Sequence, residues 1–411
     1  MFTEQERIKI REKARIAEDY LINKRLKPVY GCPQDQPLLK ISENYPGVWL
    51  EETLDSVLFA RLFPEHRYAA RNMVELFLRN QFPNGQFPYA VLDRPDPNDP
   101  TKPEVGNTQI QEVIPFGPMA LEVYEYDHDP VFLQRLYDAF SRWDAWHCAN
   151  RMTSNRGLIE MFCGYDTGMD GSGRLHGISC PEKYYGYDAT VLPEDDVVPI
   201  LAPDMNMVFW ANRIALSKMA ALLGKAEEAA QWQAKADEVK RLVFHYCFNE
   251  EDLAFYDVDK HGNQRKYLSI VQARMFYHNF LDQELADRIF QRHFENPEEF
   301  NTPCPLPSMA ANDPTFYETF RFGLPLDANN WGRLVQGDTA QRTVLWLDQY
   351  GKHEYYDRFL EAWMRAWTES EEIPFGQEID PITCKPSPCA PYYTPTMLIY
   401  IFGARRFGII E

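Results

Sequence analysis

The stretch Gly164-Tyr-Asp-Thr-Gly-Met-Asp-Gly-Ser-Gly-Arg174 places two carboxylates four positions apart in a glycine-rich run. Glycine reaches backbone geometry closed to other residues, so such a loop can hold Asp170 out into a cavity. The competing reading is a solvated turn, because Asp and Gly favour turns in any case. A second acidic loop, Pro374-Phe-Gly-Gln-Glu-Ile-Asp-Pro-Ile-Thr383, carries Glu378 and Asp380 ahead of the last helical segment. Hydrolysis of a glycosidic bond needs two carboxyl groups, one on each side of that bond. One protonates the leaving oxygen, and the other activates water or attacks the anomeric carbon. Two acidic loops from distant parts of the chain, meeting at one mouth, supply such a pair. Their separation decides between inversion and retention, and the sequence does not give it.

The elements that would position these loops are helical. Apolar residues recur at helical spacing over roughly 3–26, 51–62, 65–80, 109–126, 130–150, 204–223, 226–246, 265–279, 282–293, 328–349, 353–368 and 392–406. In 226–246 the stripe includes Trp232, Ala236, Val239 and Val243, the pattern of a half-buried helix. No series of hydrophobic strands alternates with them. A short β piece is expected at Ala254–Val258, before the turn-rich Asp259–Asn263. Loops rich in Pro, Gly and Asp at 82–88, 93–106, 164–193 and 302–326 separate the helices in pairs. Helical hairpins joined by long loops are what an (α/α)6 barrel requires, with the loops gathered at one mouth, where chemistry usually sits. The 93–106 stretch reads as a lid or surface loop rather than a linker. No domain boundary stands out, so residues 1–411 are taken as one catalytic barrel domain.

Composition narrows the partners. The 411 residues are 45% hydrophobic and 14% aromatic, enough for a large core, and the rings that stack on sugars also fill cores. A formal charge of −19 argues against nucleic acid and anionic lipid. The charged N-terminal segment has no apolar h-region, and no run reaches membrane-span length, so a cytoplasmic protein is expected. Eight cysteines are scattered without a C-x-x-C pair and read as reduced thiols. No H-x-x-x-H or H-E-x-x-H occurs, so no metal site is expected, and His147 reads as a satisfied helix residue.

The acid loop resembles the E-S-G-W-D-x-S-P-R signature of glycoside hydrolase family 63 and its trehalase relatives, with Asp166, Asp170 and Arg174 at its acidic and basic positions. Further blocks follow in the family's order. Gly47-Val-Trp-Leu-Glu-Glu-Thr53 resembles G-x-W-F-W-D-T, with Glu52 where Asp is usual. Asn80–Pro88 resembles G-Q-x-P-D-G-x-I-P, and Gln111 falls near a glutamine that faces the sugar in relatives. Asp204-Met-Asn206 resembles a D-x-N helix start, and Ala229–Asp237 the A-A-x-W-x-x-x-A helix after it. Glu378–Thr383 resembles E-x-Y-D-P-x-T-G. The agreement covers most of residues 45–405.

The resemblance implies an inverting hydrolase of α-glycosides that uses no cofactor. Asp170 would be general acid and Glu378 general base, with Asp380 the competitor for the base. Trp49, Glu52, Gln111, Asp166, Arg174, Arg321, Asn330, Trp331 and Tyr392 would surround the substrate. For Trp49 the alternative is a core residue, for Glu52 an internal salt bridge, and for Arg174 an ion pair that fixes the loop. A small α-glucoside or α-mannoside, such as an oligosaccharide or a glyceryl glycoside, is the implied substrate. The sequence also departs from the family. The W-R-G-P-x-W-x-x-x-N block is degraded to Arg321-Phe-Gly-Leu-Pro-Leu-Asp-Ala-Asn-Asn330, Met169 replaces tryptophan, and the trehalase P-G-G-R-F block is absent. Two other readings stay open: an epimerase of the acylglucosamine 2-epimerase type, which works through histidines, and a sugar-binding protein without activity.

Overall fold

In the computed structural model, residues 2–178, 188–317, 331–387 and 389–411 are described. The backbone is mainly helical, with α1 Glu4–Tyr20, α2 Thr53–Leu62, α3 Tyr68–Arg79, α4 Phe116–Tyr124, α5 Pro130–Asn150 and α6 Pro203–Leu222. These are followed by α7 Ala226–Cys247, α8 Val271–Arg274, α9 Gln283–Ile289, α10 Gly337–Arg342, α11 His353–Glu369 and α12 Thr394–Arg406. The starts follow ordinary capping chemistry. Thr3 and Glu6 form a reciprocal capping box at α1, and Asp129 caps α5 ahead of Pro130.

Burial sorts the helices into two rings. In α2 every residue except Arg61 is buried, and α12 is buried over most of its length, as expected of helices surrounded by protein. By contrast α1, α7 and α11 bury one stripe and leave polar faces to solvent. Helices therefore alternate outer and inner along the chain, and α1 packs back on α12 to close the ring. This is an (α/α)6 barrel. No helix among the described residues is long and apolar enough to cross a membrane.

Three segments differ from the periodicity. Pro115 limits its predecessor to extended geometry, so the helix expected from 109 begins at Phe116. The 328–349 segment is broken: Val335–Gln336 pairs antiparallel with Glu378–Ile379, and α10 starts only at Gly337. Within 265–279 only the single turn of α8 and a short 3-10 turn are helical. The 93–106 stretch is a hairpin tip, not a free loop. Its strands Ala90–Pro95 and Pro103–Gly106 pair with each other, and the first also pairs with Gly47–Trp49. The β piece expected at 254–258 is present as Ala254–Phe255 and Asp257–Val258.

Candidate active site

The segments that lead into the inner helices converge on one cavity of about 310 Å³. Trp49 and Glu51 precede α2, Gln109 and Gln111 precede α4, and Tyr165, Gly168 and Asp170 lie in the loop before α6. Trp331 and Asp338 come from the α10 region, and Gln377 and Tyr393 from the approach to α12; Ile41, Tyr45 and Tyr89 complete the wall. Inner-helix N-termini thus face the cavity, and their partial positive charge favours the carboxylates gathered there. Aromatic rings, amides and carboxylates together suit a polyhydroxylated ligand, with faces to stack on and acceptors for its hydroxyls.

The acid loop is held from beneath. Asp166 is fully buried and accepts from the backbone N–H of Ile110 at 2.9 Å, Phe162 at 2.8 Å and Cys163 at 3.2 Å, and from the Arg151 guanidinium. Arg174 forks onto Asp204 at 2.9 and 3.0 Å and donates to Asp257 through Nε at 2.9 Å. Arg274 ties Asp204 (2.7 Å) to the carbonyl of Thr167 (2.9 Å). Burial alone would raise the Asp204 pKa, but the guanidiniums of Arg174 and Arg274 hold it down to about 2. Gly168, at φ +64°, turns the chain between this base and Asp170, which lines the cavity. Gly173 is needed for a different reason, because a Cβ there would overlap the hydroxyl of Thr315. Gly173→Ala is therefore expected to lower stability by about 1–3 kcal/mol, the cost of overpacking, and to reduce kcat as Asp170 shifts. Thermal melting and steady-state kinetics check both effects; an unchanged kcat would show that the loop tolerates the displacement.

Several residues inferred from the sequence are not on the cavity wall. Asp166 is saturated by loop and backbone donors, and Arg174 is only 1% exposed, bound to two carboxylates, so both build the loop rather than contact a ligand. Glu52 is buried beneath the wall, accepts from Trp49 N–H at 3.0 Å, and has its pKa raised by burial and by Asp55 beside it. Tyr392 stacks on Tyr20 with ring centroids 3.9 Å apart, away from the cavity. Trp49, Gln111, Trp331 and Asp170 are on the wall. Arg321 and Asn330 lie outside the described residues.

Glu378 is completely buried, opposite Gln336 in the strand pair, and accepts from Gln336 Nε2 at 3.2 Å. It is not among the described residues of the wall, although its neighbour Gln377 is, as is Asp338, two residues beyond Gln336. Asp380 points elsewhere and pairs with Arg333 at 2.9 Å.

Among the wall residues that the sequence reading missed, Glu51, Asp338 and Tyr45 bear groups whose titration the site perturbs. Glu51 accepts from Gln111 Nε2 at 2.9 Å and from Arg342 Nη2 at 2.6 Å. Burial pushes its pKa up to about 7 against the pull of Arg342, with Asp338 adding to the rise. Asp338 accepts from Tyr393 Oη at 2.9 Å, and its carboxyl is also raised by burial. The Tyr45 hydroxyl is held well above its usual range by burial, with the negative charges of Asp338, Cys389 and Asp170 adding to it. Glu51 was detectable as the first acid of the Glu51-Glu52 pair; nothing in the sequence marked Asp338.

An (α/α)6 barrel with a small, ring-lined carboxylate cavity at its inner-helix N-termini is the architecture of six-hairpin glycosidases. The mannosylglycerate hydrolase MGH1-like glycoside hydrolase domain matches residues 45–331, and the chain belongs to that family of glycoside hydrolases. The chain is similar to a family 63 mannosylglycerate hydrolase from Thermus thermophilus solved with glucose. Identity is 15% and the TM-score 0.71, over 96% of this chain and 99% of that one. The neutral trehalase of Saccharomyces cerevisiae superposes at TM-score 0.62 and 14% identity, over 90% and 73%. A bacterial glucoamylase bound to acarbose gives 0.55 and 11%, over 87% and 48%. At these identities the superpositions show the shared fold. No curated relative matches the sequence. Family membership displaces the epimerase reading, and no histidine is among the described residues of the wall.

Proposed function

We propose that the chain hydrolyses the α-glycosidic bond of a small glucoside or mannoside with inversion, Asp170 serving as general acid and Glu378 as general base. The carrying observation is Asp170 itself, presented to a cavity of about 310 Å³ on a loop fixed by Asp166 and Arg174. That volume is at the small end of ligand pockets, roughly 300–1,000 Å³, which favours a short glycoside over a polymer. Residues 1–411 act as one catalytic unit in this reading, without a cofactor.

In the proposed reaction the Asp170 carboxyl donates its proton to the glycosidic oxygen as the C–O bond breaks. On the opposite face of the sugar, a base removes a proton from the attacking water. Trp49, Trp331 and the wall tyrosines supply faces for the ring, and Gln111 hydrogen-bonds its hydroxyls. A second reading gives the base role to Asp338, because Asp338 lines the cavity and Glu378 sits behind it. A panel of α-linked disaccharides and glyceryl glycosides, including mannosylglycerate and glucosylglycerate, tests the function through released sugar. Turnover of a small α-glycoside is expected. Binding across the panel without turnover would favour the non-catalytic alternative.

A further inference from the structure

We infer that Glu51, with the amide of Gln111, selects an uncharged, hydroxyl-rich sugar face and makes this side of the cavity unfit for a carboxylated group. The inference rests on the glycosidase reading above and assigns a specificity role within its site. The G-x-W-F-W-D-T pattern has tryptophan at the position of Glu51, so the carboxylate is a departure of this chain.

Above its pKa of about 7 the Glu51 carboxylate is ionised and offers about four lone-pair positions and no donor. Arg342 Nη2 takes one on Oε2, and Gln111 Nε2 takes one on Oε1. These two partners come from α10 and from the lead-in to α4, so the carboxylate is oriented from two sides. Arg342 is nearly inaccessible, with its side chain 3% exposed, while that of Glu51 keeps 17%, and Glu51 is on the cavity wall. One acceptor position on each oxygen therefore remains for a ligand.

Gln111 adds a third. Because its Nε2 is committed to Glu51, its Oε1 is fixed as an acceptor. That oxygen is buried and has no hydrogen bond among the described residues, in a side chain only 5% exposed. A buried acceptor left unpaired costs about 1–3 kcal/mol, which a bound hydroxyl would recover. These acceptors match sugar hydroxyls, each of which donates. A carboxylate group on a ligand would bring only acceptors and a like charge, so it is directed away from Glu51. Gly168 belongs to the same surface, since a Cβ there would lie 3.6 Å from Glu51 Oε2. The hydroxyl-reading edge is thus adjacent to the loop that carries Asp170.

The test uses Asp170→Asn full-length protein, which should bind without turning over. At a pH about 1.5 units above the Glu51 pKa of about 7, calorimetry would measure mannose, glucose and their 2-, 3-, 4- and 6-deoxy forms, with and without Glu51→Ala or Glu51→Gln added. Removing one or two adjacent hydroxyls is expected to weaken binding roughly 10-fold or more, as for hydrogen bonds to a charged group. That penalty should shrink to under about 2-fold in Glu51→Ala, because the partner is already gone. Glu51→Gln, which keeps the size and one oxygen to accept from Arg342 or Gln111, guards against misfolding and should give an intermediate penalty. Deoxy penalties unchanged in both variants would overturn the assignment while leaving the glycosidase reading intact. If neither sugar binds and no glycoside turns over, the glycosidase reading itself fails and the inference falls with it.

Discussion

Asp170→Asn is expected to lower kcat on an unactivated α-glycoside by roughly 10²–10⁴-fold, the range supplied by a positioned general acid. The loss should depend on the leaving group. A glycosyl fluoride departs without protonation, so Asp170→Asn should retain most of its activity on that substrate. Glu378→Gln should be impaired on both substrates, because water activation is needed whatever leaves. Azide, a nucleophile that needs no deprotonation, should restore turnover to Glu378→Gln and form a glycosyl azide of inverted configuration. Asp338→Asn separates the two candidate bases. If azide rescues Asp338→Asn and Glu378→Gln stays active without it, the base is the wall residue. Circular dichroism and melting confirm that each variant folds.

The second large effect concerns stability. Arg174→Met removes the cation between Asp204 and Asp257, both buried. Deleting one partner of a buried ion pair costs about 3–5 kcal/mol, since the other charge stays in the interior without compensation. Arg274 still reaches Asp204, so Asp257 bears the larger loss. The pH dependence follows from the depressed pKa of Asp204. A carboxylate lowered on folding contributes stability that is full above its unfolded value, about 3.9, and is lost as pH falls towards about 2. In Arg174→Met the Asp204 pKa should rise and this contribution shrink, so acid unfolding should begin at higher pH. Urea melts from acid to neutral pH check both points. A variant as stable as the parent would mean that the arginine is dispensable to the loop.

The barrel was legible because outer helices advertise one apolar stripe, as in α7 and α11, and because proline and glycine mark the loops between hairpins. The acid loop was legible for a similar reason: glycines at 168 and 173 are where the chain must turn or pack closely. The rest of the site depended on single-residue choices that periodicity does not resolve. Glu51 and Glu52 occupy a 3-10 turn, Leu50–Glu52, in which successive side chains diverge by about 120°. Only the folded register shows that Glu51 faces the cavity. Tyr392 has φ +54°, and Tyr393, not Tyr392, reaches the wall. Asp338 lay inside a segment whose apolar spacing reads as one continuous helix, although its backbone turns to pair with the strand at Glu378. Asp166 looked available because the partner that engages it, Arg151, comes from the end of α5 and carries no local signal.

Inverting hydrolysis by two carboxylates is tested most directly by the anomer first released. Proton NMR would follow the first minutes of turnover of the best α-glycoside in the panel, before mutarotation scrambles the product. The β-configured sugar should appear first, and both Asp170→Asn and Glu378→Gln should abolish its formation. Initial release of the α-sugar would mean retention through a covalent intermediate and would contradict the roles given to both residues.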